Sequence, residues 1–341
     1  MDDAIQSMID VLSTKQRVLI TTHVRPDGDA LGSTAALVLG LRKIGIVSEV
    51  LLLSHLPSKY AFVYAENAVQ YQDVENGWPA TFSLDRFDAL LVADTGTWSQ
   101  LPGLADQLGS LKGPKLVLDH HLTQEDWADI KLVDTRAAAA AEIVAELFSR
   151  WDIQLDKAIA TALYLGIAAD TGWFQHSNTR PETMRLAARL MEAGVDTDAM
   201  YQHLYQNERA ERLALQTRAM QSLELLAEGR LAVMRLTKAD FAQTRAGVPS
   251  TEGLINVPLQ IATVQVSMMM IEPPEPGPIR VSLRSKGQVD CARFAERFGG
   301  GGHARAAGLK ISAPLDSAHA DVVMAMMQLM TAKSIPGSLI D

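Results

Sequence analysis

The stretch Val18-Leu-Ile-Thr-Thr-His23-Val-Arg-Pro-Asp27-Gly-Asp29-Ala30 joins an apolar run of strand character to a turn bearing one imidazole and two carboxylates. Open α/β sheets do their chemistry at the carboxyl ends of their strands, so a fan of hard ligands there marks a candidate active site. Pro26 and Gly28 favour a tight turn that aims His23, Asp27 and Asp29 together. By itself the segment fits a metal site and a solvent-facing acidic turn equally well.

Outward from it, strand-like runs recur at residues 17–22, 47–53, 89–93, 115–118 and 130–133. Between them, segment 30–43 sets Leu31, Leu37, Leu41 and the following Ile44 on a helical pattern. The alternation predicts an α/β fold with a mostly parallel, doubly wound sheet covered on both faces. Residues 137–148 and 156–168 predict two further helices, the first rich in alanine.

Three more apolar runs end as the first does. Asp94 follows Ala89-Leu-Leu-Val-Ala93, Asp119-His120-His121 follows Lys115-Leu-Val-Leu118, and Asp170 closes Leu163-Tyr-Leu-Gly-Ile-Ala-Ala169. The recurrence reads as ligands gathered at strand ends. Singly, each aspartate also suits a turn or cap, His121 suits an ordinary surface histidine, and Asp119 suits a residue orienting His120 from behind. Jointly, His23, Asp27, Asp29, Asp94, His120 and Asp170 supply carboxylates and imidazoles for two divalent cations. Such ligands favour Mn²⁺ or Mg²⁺ over Zn²⁺, Co²⁺ or Fe²⁺. Two ions roughly 3.5–4 Å apart can share a carboxylate and grip a phosphoryl group, so the predicted chemistry is hydrolysis at phosphorus.

With 341 residues, 48% of them hydrophobic, the chain is long enough for two domains. Its net charge of -9 argues against a broad basic face for long duplex nucleic acid but leaves short or small phosphorylated substrates open. The single cysteine, Cys291, excludes an intramolecular disulfide and a thiolate metal site. The N-terminus lacks the basic and apolar parts of a secretory signal, and no apolar run reaches the about 20 residues that span a bilayer. A soluble cytoplasmic protein with no membrane partner is expected.

Residues 181–226 read as helical throughout, broken near Gly194 and Val195. The predicted organisation is a metal-binding domain at 1–190, a helical linker at 191–225 and a smaller α/β domain at 226–341. Strands are expected there at 230–235, 261–271, 279–284 and 307–311, with a helix start near Thr237, a stiff turn at Pro273-Pro-Glu-Pro-Gly-Pro278 and a helix at 290–298. The four glycines of Phe298-Gly-Gly-Gly-Gly-His303-Ala-Arg305 leave backbone N–H groups unobstructed, so the loop can cradle an anion; a flexible surface turn is the alternative. Arg284, ending a strand, is a candidate phosphate fork or an ordinary surface arginine. Phe294 and Phe298, four apart, read as core rather than a base-stacking platform.

These motifs resemble the DHH phosphoesterase family, named for the Asp119-His120-His121 triplet. Residues 23–33, Asp94-Thr-Gly96, the triplet and Ala169-Asp-Thr-Gly172 are similar to the successive metal-binding motifs of its N-terminal domain. GGGGHARAAG at 299–308 is similar to the signature of the associated DHHA1 domain. Length and motif set most resemble the stand-alone branch that trims short oligoribonucleotides to mononucleotides and dephosphorylates 3'-phosphoadenosine 5'-phosphate. The resemblance implies a doubly wound metal domain, a helical linker and a smaller substrate domain facing it across a cleft. It implies Mn²⁺ as the cofactor, with Mg²⁺ or Co²⁺ as substitutes. His23, Asp27 and Asp94 would hold one ion; Asp29, Asp94, His120 and Asp170 would hold the other. Asp94 and the Asp119-His120-His121 group would be catalytic, with Asp119 and His121 supporting. Arg284, Ser285, Gly300, Gly301, Gly302 and His303 would clamp the substrate phosphate.

One departure stands out: many relatives carry a serine and threonine pair where Ala137–Ala141 precede Glu142. Cleavage of cyclic dinucleotides, or of linear pApA or pGpG, is the alternative within the same chemistry. A non-catalytic nucleotide sensor would show a broken ligand set, whereas every ligand position is filled. Monomer and homodimer both fit the sequence.

Overall fold

The computed structural model describes residues 2–79, 82–287 and 289–332. The chain forms two compact units that divide between Asn207 and Glu208. Residues 333–341, the end of the second expected domain, lie outside the described residues.

In the first unit, α1 (Asp2–Leu12), β1 (Arg17–Thr21), α2 (Gly28–Lys43), β2 (Val47–Leu52), α3 (Ala61–Ala65), β3 (Tyr71–Asp73) and β4 (Ala89–Ala93) come first. Then follow α4 (Leu104–Gln107), β5 (Lys115–Asp119), β6 (Ile130–Val133), α5 (Ala140–Arg150), α6 (Lys157–Asp170), α7 (Pro181–Glu192) and α8 (Thr197–Tyr205). The strands form one sheet in the order β3-β2-β1-β4-β5-β6, and every pairing is parallel. The chain order reverses between β1 and β4, which lie side by side with Val18 opposite Ala89. Loops leaving the two strands therefore diverge, and such a switch point is where doubly wound sheets bind ligands. Every residue of β4 is buried, as an apolar central strand covered on both faces requires.

Helix α2 is buried along Gly28–Leu41 and packs closely on α6. A Cβ on Gly32 would stand 2.4 Å from the Ala162 carbonyl, and one on Gly166 would stand 2.7 Å from Asp29 Oδ1. Small residues thus let two helices touch backbone to backbone and leave room for a buried carboxylate between them.

Asp170 does not end a strand. It is the last residue of α6, a helix of 14 residues whose run from Leu163 to Ala168 is buried. The helix expected at 156–168 is α6, extended by two residues to include Asp170; being buried nearly all round, its end lacks a polar stripe and resembles an apolar strand run. Residues 181–226 break near Gly194 and Val195 as expected, between α7 and α8, but they break again after Tyr205 and do not stay helical to the end. Arg180, held extended by Pro181, starts α7; α8 stops at Tyr205; and Leu226 ends a strand. The edge strand β3 carries no apolar run, and α1 buries Ile5, Met8, Ile9 and Leu12 on one helical stripe; neither was among the predicted elements.

The second unit contains α9 (Ala210–Gln221), β7 (Glu224–Leu226), β8 (Leu231–Leu236), α10 (Lys238–Thr244), β9 (Val266–Ile271) and β10 (Ile279–Ser285). It continues with α11 (Cys291–Glu296), β11 (Gly301–His303), β12 (Ala306–Ile311) and α12 (Leu315–Ala332), the last absent from the predicted set. Its sheet runs β11-β12-β10-β9-β8-β7, and only β8 and β9 pair in parallel. Period-two alternation divides β9 between two cores: Met268 and Met270 pack with Phe294 and Met326, Met269 and Ile271 with Leu215 and Phe241. Strand β9 begins five residues later than the sequence suggests, because a turn closed by the Val264 amide on the Ile261 carbonyl precedes it. Phe294 is buried and tilts against Phe298 at 5.4 Å, a core pair.

Candidate metal centre

His23 follows β1. Its Nδ1 stands 3.0 Å from the Val24 carbonyl, which can only accept, so Nδ1 donates and Nε2 is left as a lone pair when the ring is neutral. That Nε2 faces Asp94 Oδ2 at 3.5 Å and Asp27 Oδ1 at 3.9 Å. His120, just beyond β5, repeats the arrangement. Its Nδ1 lies 3.2 Å from the Ala137 carbonyl, and its Nε2 faces Asp94 Oδ1 at 3.4 Å, Asp170 Oδ2 at 3.6 Å and Asp29 Oδ2 at 3.9 Å. Histidines that hold metals characteristically donate their second ring nitrogen in this way.

The two oxygens of Asp94 thus face two different ligand groups. Its backbone is left-handed, at φ 64°, a conformation that costs a non-glycine residue energy but that aspartate tolerates better than most. The amide of Asp94 still donates to Leu118, 2.9 Å away, so the strain is fixed to the end of the sheet.

Asp27 Oδ1 accepts from the amides of Asp29 and Ala30 and caps α2. Asp29 is buried and accepts from the amides of Ala140 and Ala141 and from Ser33 Oγ. The N-cap residue of α5, Ala139, offers no side-chain cap, so the Asp29 carboxyl, from a distant part of the chain, accepts from the free amides of that N-terminus. Asp119 is fully buried and accepts from the amides of His120 and His121, from His121 Nδ1 at 2.8 Å and from Gln124 Nε2. His121 Nδ1 also comes within 3.8 Å of Asp94 Oδ1.

Three sets of side chains could each hold a metal ion: His23 with Asp27 and Asp94, Asp29 with His120 and Asp170, and Asp94 with His120 and His121. Atoms sharing one ion at about 2.1 Å stand no more than about 4.2 Å apart, which the contacts of 3.4–3.9 Å satisfy. A second observation agrees. Asp94 Oδ1 and His120 Nε2 are buried without a hydrogen-bond partner, a costly state that a cation relieves.

The charges show the same crowding. Burial opposes a charged His23, but Asp94 outweighs it and lifts the imidazole to about 9. Burial likewise opposes a charged His120, which Asp94, Asp29 and Asp170 raise to about 10. Burial and then the neighbouring Asp94 and Asp170 hold the Asp29 carboxyl well above its usual range. Burial moves Asp170 up to about 6 despite His120. Asp94 is lowered, because its two histidine partners overcome its own burial. Without cations the centre therefore neutralises itself with protons.

In the second unit the glycines do not wrap into a loop of convergent amides. Gly301–His303 are an edge strand, with Gly301 opposite Gly308 and His303 opposite Ala306. Glycine is required where β12 comes close: a Cβ on Gly300 would stand 2.3 Å from the Gly308 carbonyl, and Gly302 sits at φ 143°. Gly301 has open space around it, and both Gly301 and His303 are exposed. Arg284, on β10 between Ser267 and Ala306, is half-buried and donates from Nη1 to the Leu283 carbonyl. Ser285 Oγ accepts from the Gly287 amide.

The sequence did not single out Gln124, Asn178 or Arg180. Each is an ordinary polar residue lacking a motif of its own, and only its distance to a motif residue reveals it.

Residues 17–167 match the DHH family, N-terminal domain, and residues 242–331 match the DHHA1 domain. The chain belongs to the DHH/DHHA1 family of metal-dependent phosphoesterases. It is similar to the bifunctional oligoribonuclease and PAP phosphatase NrnA of Thermus thermophilus, at 29% identity over 92% of this chain and 90% of that protein. The probable bifunctional oligoribonuclease and PAP phosphatase NrnA of Streptococcus mutans is also 29% identical, over 89% of this chain and 93% of its own. Among solved structures, an exopolyphosphatase-related protein from Bacteroides fragilis matches with a TM-score of 0.83 and 25% identity, covering 97% of both chains. Among the described residues, no helix is long and apolar enough to cross a membrane.

Proposed function

We propose that this protein hydrolyses short oligoribonucleotides to mononucleotides and removes the 3'-phosphate of 3'-phosphoadenosine 5'-phosphate, in the cytoplasm. One observation carries the reading: the two oxygens of a single buried, strained carboxylate, Asp94, face two separate histidine and carboxylate groups. His23, Asp27 and Asp94 would hold one divalent cation, and Asp29, Asp94, His120 and Asp170 would hold the other. Bound there, Mn²⁺, or Mg²⁺ or Co²⁺ in its place, would acidify a water and neutralise charge growing on the phosphoryl oxygens. Asp119 fixes the backbone of His120 and His121 and the ring of His121, and Ala137 fixes the ring of His120. His121 remains beside Asp94 as a proton carrier or third imidazole.

Residues 1–190 constitute the metal domain, 191–225 the connection and 226–341 the substrate domain. As an edge strand, β11 keeps backbone groups free for a ligand. Together with Arg284, Ser285 and His303 it suits a terminal phosphate, and a net charge of -9 suits substrates of few nucleotides. The two relatives named for these activities support the choice of substrate.

The test is product analysis with Mn²⁺ on 5'-labelled di- to decaribonucleotides, 3'-phosphoadenosine 5'-phosphate and cyclic dinucleotides. Fastest turnover of the shortest linear substrates, with phosphate released from the bisphosphate, is expected. Turnover of cyclic substrate alone would defeat the reading.

A further inference from the structure

The ligand group around Asp29, His120 and Asp170 rests on a segment without functional side chains, Ala137–Ala141. Its backbone does the positioning: the Ala137 carbonyl takes His120 Nδ1, and the Ala140 and Ala141 amides take Asp29. Something must hold that backbone, because five alanines cannot hold it through polar side-chain contacts of their own.

Three residues do so. Glu142 is more than nine-tenths buried, and its Oε2 accepts from the Ala138 amide at 2.7 Å and from Arg180 Nη2 at 2.8 Å. Asn178 Nδ2 donates to the Ala138 carbonyl at 3.0 Å and to the Asp170 carbonyl at 3.2 Å. Arg180 is itself fixed: Pro181 keeps its backbone extended, and its amide donates to Thr183 Oγ1 at the start of α7. Ala138 is therefore gripped at both its amide and its carbonyl, one residue from the carbonyl that orients His120. The His23 and Asp27 group has no link to any of these three residues among the described hydrogen bonds.

We infer that Arg180, Glu142 and Asn178 are positioning residues for one of the two cations only, the one held by Asp29, His120 and Asp170. This inference rests on the two-cation reading of the centre. A charged pair suits the task, since a buried carboxylate held by an arginine resists both rotation and solvation. Breaking it leaves Glu142 with an uncompensated charge that it relieves by moving, and the alanine backbone follows. Residues that orient metal ligands in this way are typically worth about 10–100-fold in metal affinity.

The experiment is stepwise Mn²⁺ titration, by calorimetry and by loss of the free-ion electron paramagnetic resonance signal. It compares the wild-type chain with Arg180→Gln, Glu142→Gln, Asn178→Ala and Arg185→Gln. Arg185 pairs with Glu182 on the exposed face of α7 and serves as the control. Arg180 is one-third exposed and lines a cavity of about 650 Å³, so glutamine there remains solvated and does not clash. Arg180→Gln should weaken one of two binding steps by about 10–100-fold and leave the other unchanged. Excess Mn²⁺ should then restore kcat, and Arg180→Lys should restore part of the affinity. Glu142→Gln keeps an acceptor for Ala138 and should fall between Arg180→Gln and wild type.

Equal weakening of both steps, or unchanged affinity with only a lower unfolding temperature in chelator, overturns the inference. If a variant fails to fold at room temperature, Asn178→Ala, which leaves the charge pair intact, decides on the same criteria. A wild-type chain that binds no second Mn²⁺, or whose binding survives Asp94→Ala, would instead overturn the two-cation reading.

Discussion

Asp94 and Gly301 sit in the two candidate regions, one in each unit, and their surroundings could hardly differ more. Asp94 is 2% exposed, crowded by three histidines and held in a left-handed backbone. Gly301 is exposed, in an ordinary edge strand, with nothing within 4 Å of where a side chain would begin. In the first unit the side chain is the functional group, and the backbone is strained to deliver it. In the second, the proposed substrate contact is the backbone, and the absence of a side chain at Gly301 leaves that backbone accessible. Substitutions should therefore act oppositely: chemistry lost with the fold intact in one place, access lost or the fold strained in the other.

The largest effect belongs to Asp94→Ala. Losing the bridge between the two ligand groups should cost on the order of 10³-fold or more in kcat and abolish tight binding of both cations. Near-normal turnover with full metal content would refute the bridging role.

The pH dependence of metal uptake comes next. His23 and His120, lifted from 6.5 to about 9 and about 10, are protonated in the cation-free protein at neutral pH. A cation requires the neutral ring, so each one bound displaces a proton, and affinity should rise by about tenfold per pH unit per proton released until pH approaches 9. The stability of the cation-free fold runs the other way. Pairing with raised histidines contributes fully below 6.5 and is lost as pH rises through 9 to 10. Calorimetry in buffers of different ionisation enthalpy measures the released protons; none released at pH 7 would contradict these protonation states.

Smaller effects separate neighbouring glycines. Gly302→Ala forces a side chain onto φ 143° and to 2.6 Å from the Ala306 carbonyl, and should destabilise by about 1–3 kcal/mol in denaturant unfolding. Gly301→Ala should change stability by less than about 0.5 kcal/mol. On the proposed clamp role it should nonetheless raise KM by about tenfold with kcat nearly unchanged, since the added methyl would fill open space beside the exposed strand. An unchanged KM would show that β11 serves the fold and not the substrate.

Much of this was legible in the sequence because the ligands lie at the ends of apolar runs. A strand that is covered on both faces must be apolar, so polar residues at its tip announce themselves, as Asp94 and Asp119 do. Asp170 was legible as a candidate ligand, and the helix at 156–168 was legible too, but its apolar end was also read as a strand-like run because the buried α6 shows no polar face. The four glycines were conspicuous, but their composition suits both a cradle and a tight hairpin. Only the pairing of β11 with β12 distinguishes the two.

The sequence by itself determined the alternation of elements, the ligand types and hence the class of chemistry, because burial and metal affinity depend on which side chains are present. Tertiary structure alone decided how those side chains are shared out: which oxygen of Asp94 faces which histidine, that Asp29 caps a helix 111 residues further along the chain, and that Arg180 and Asn178 brace an alanine segment. The reason is that hydrogen bonds and charges act over a few ångströms, and the partners that come within that range are set by strand order and helix packing, not by nearness along the chain.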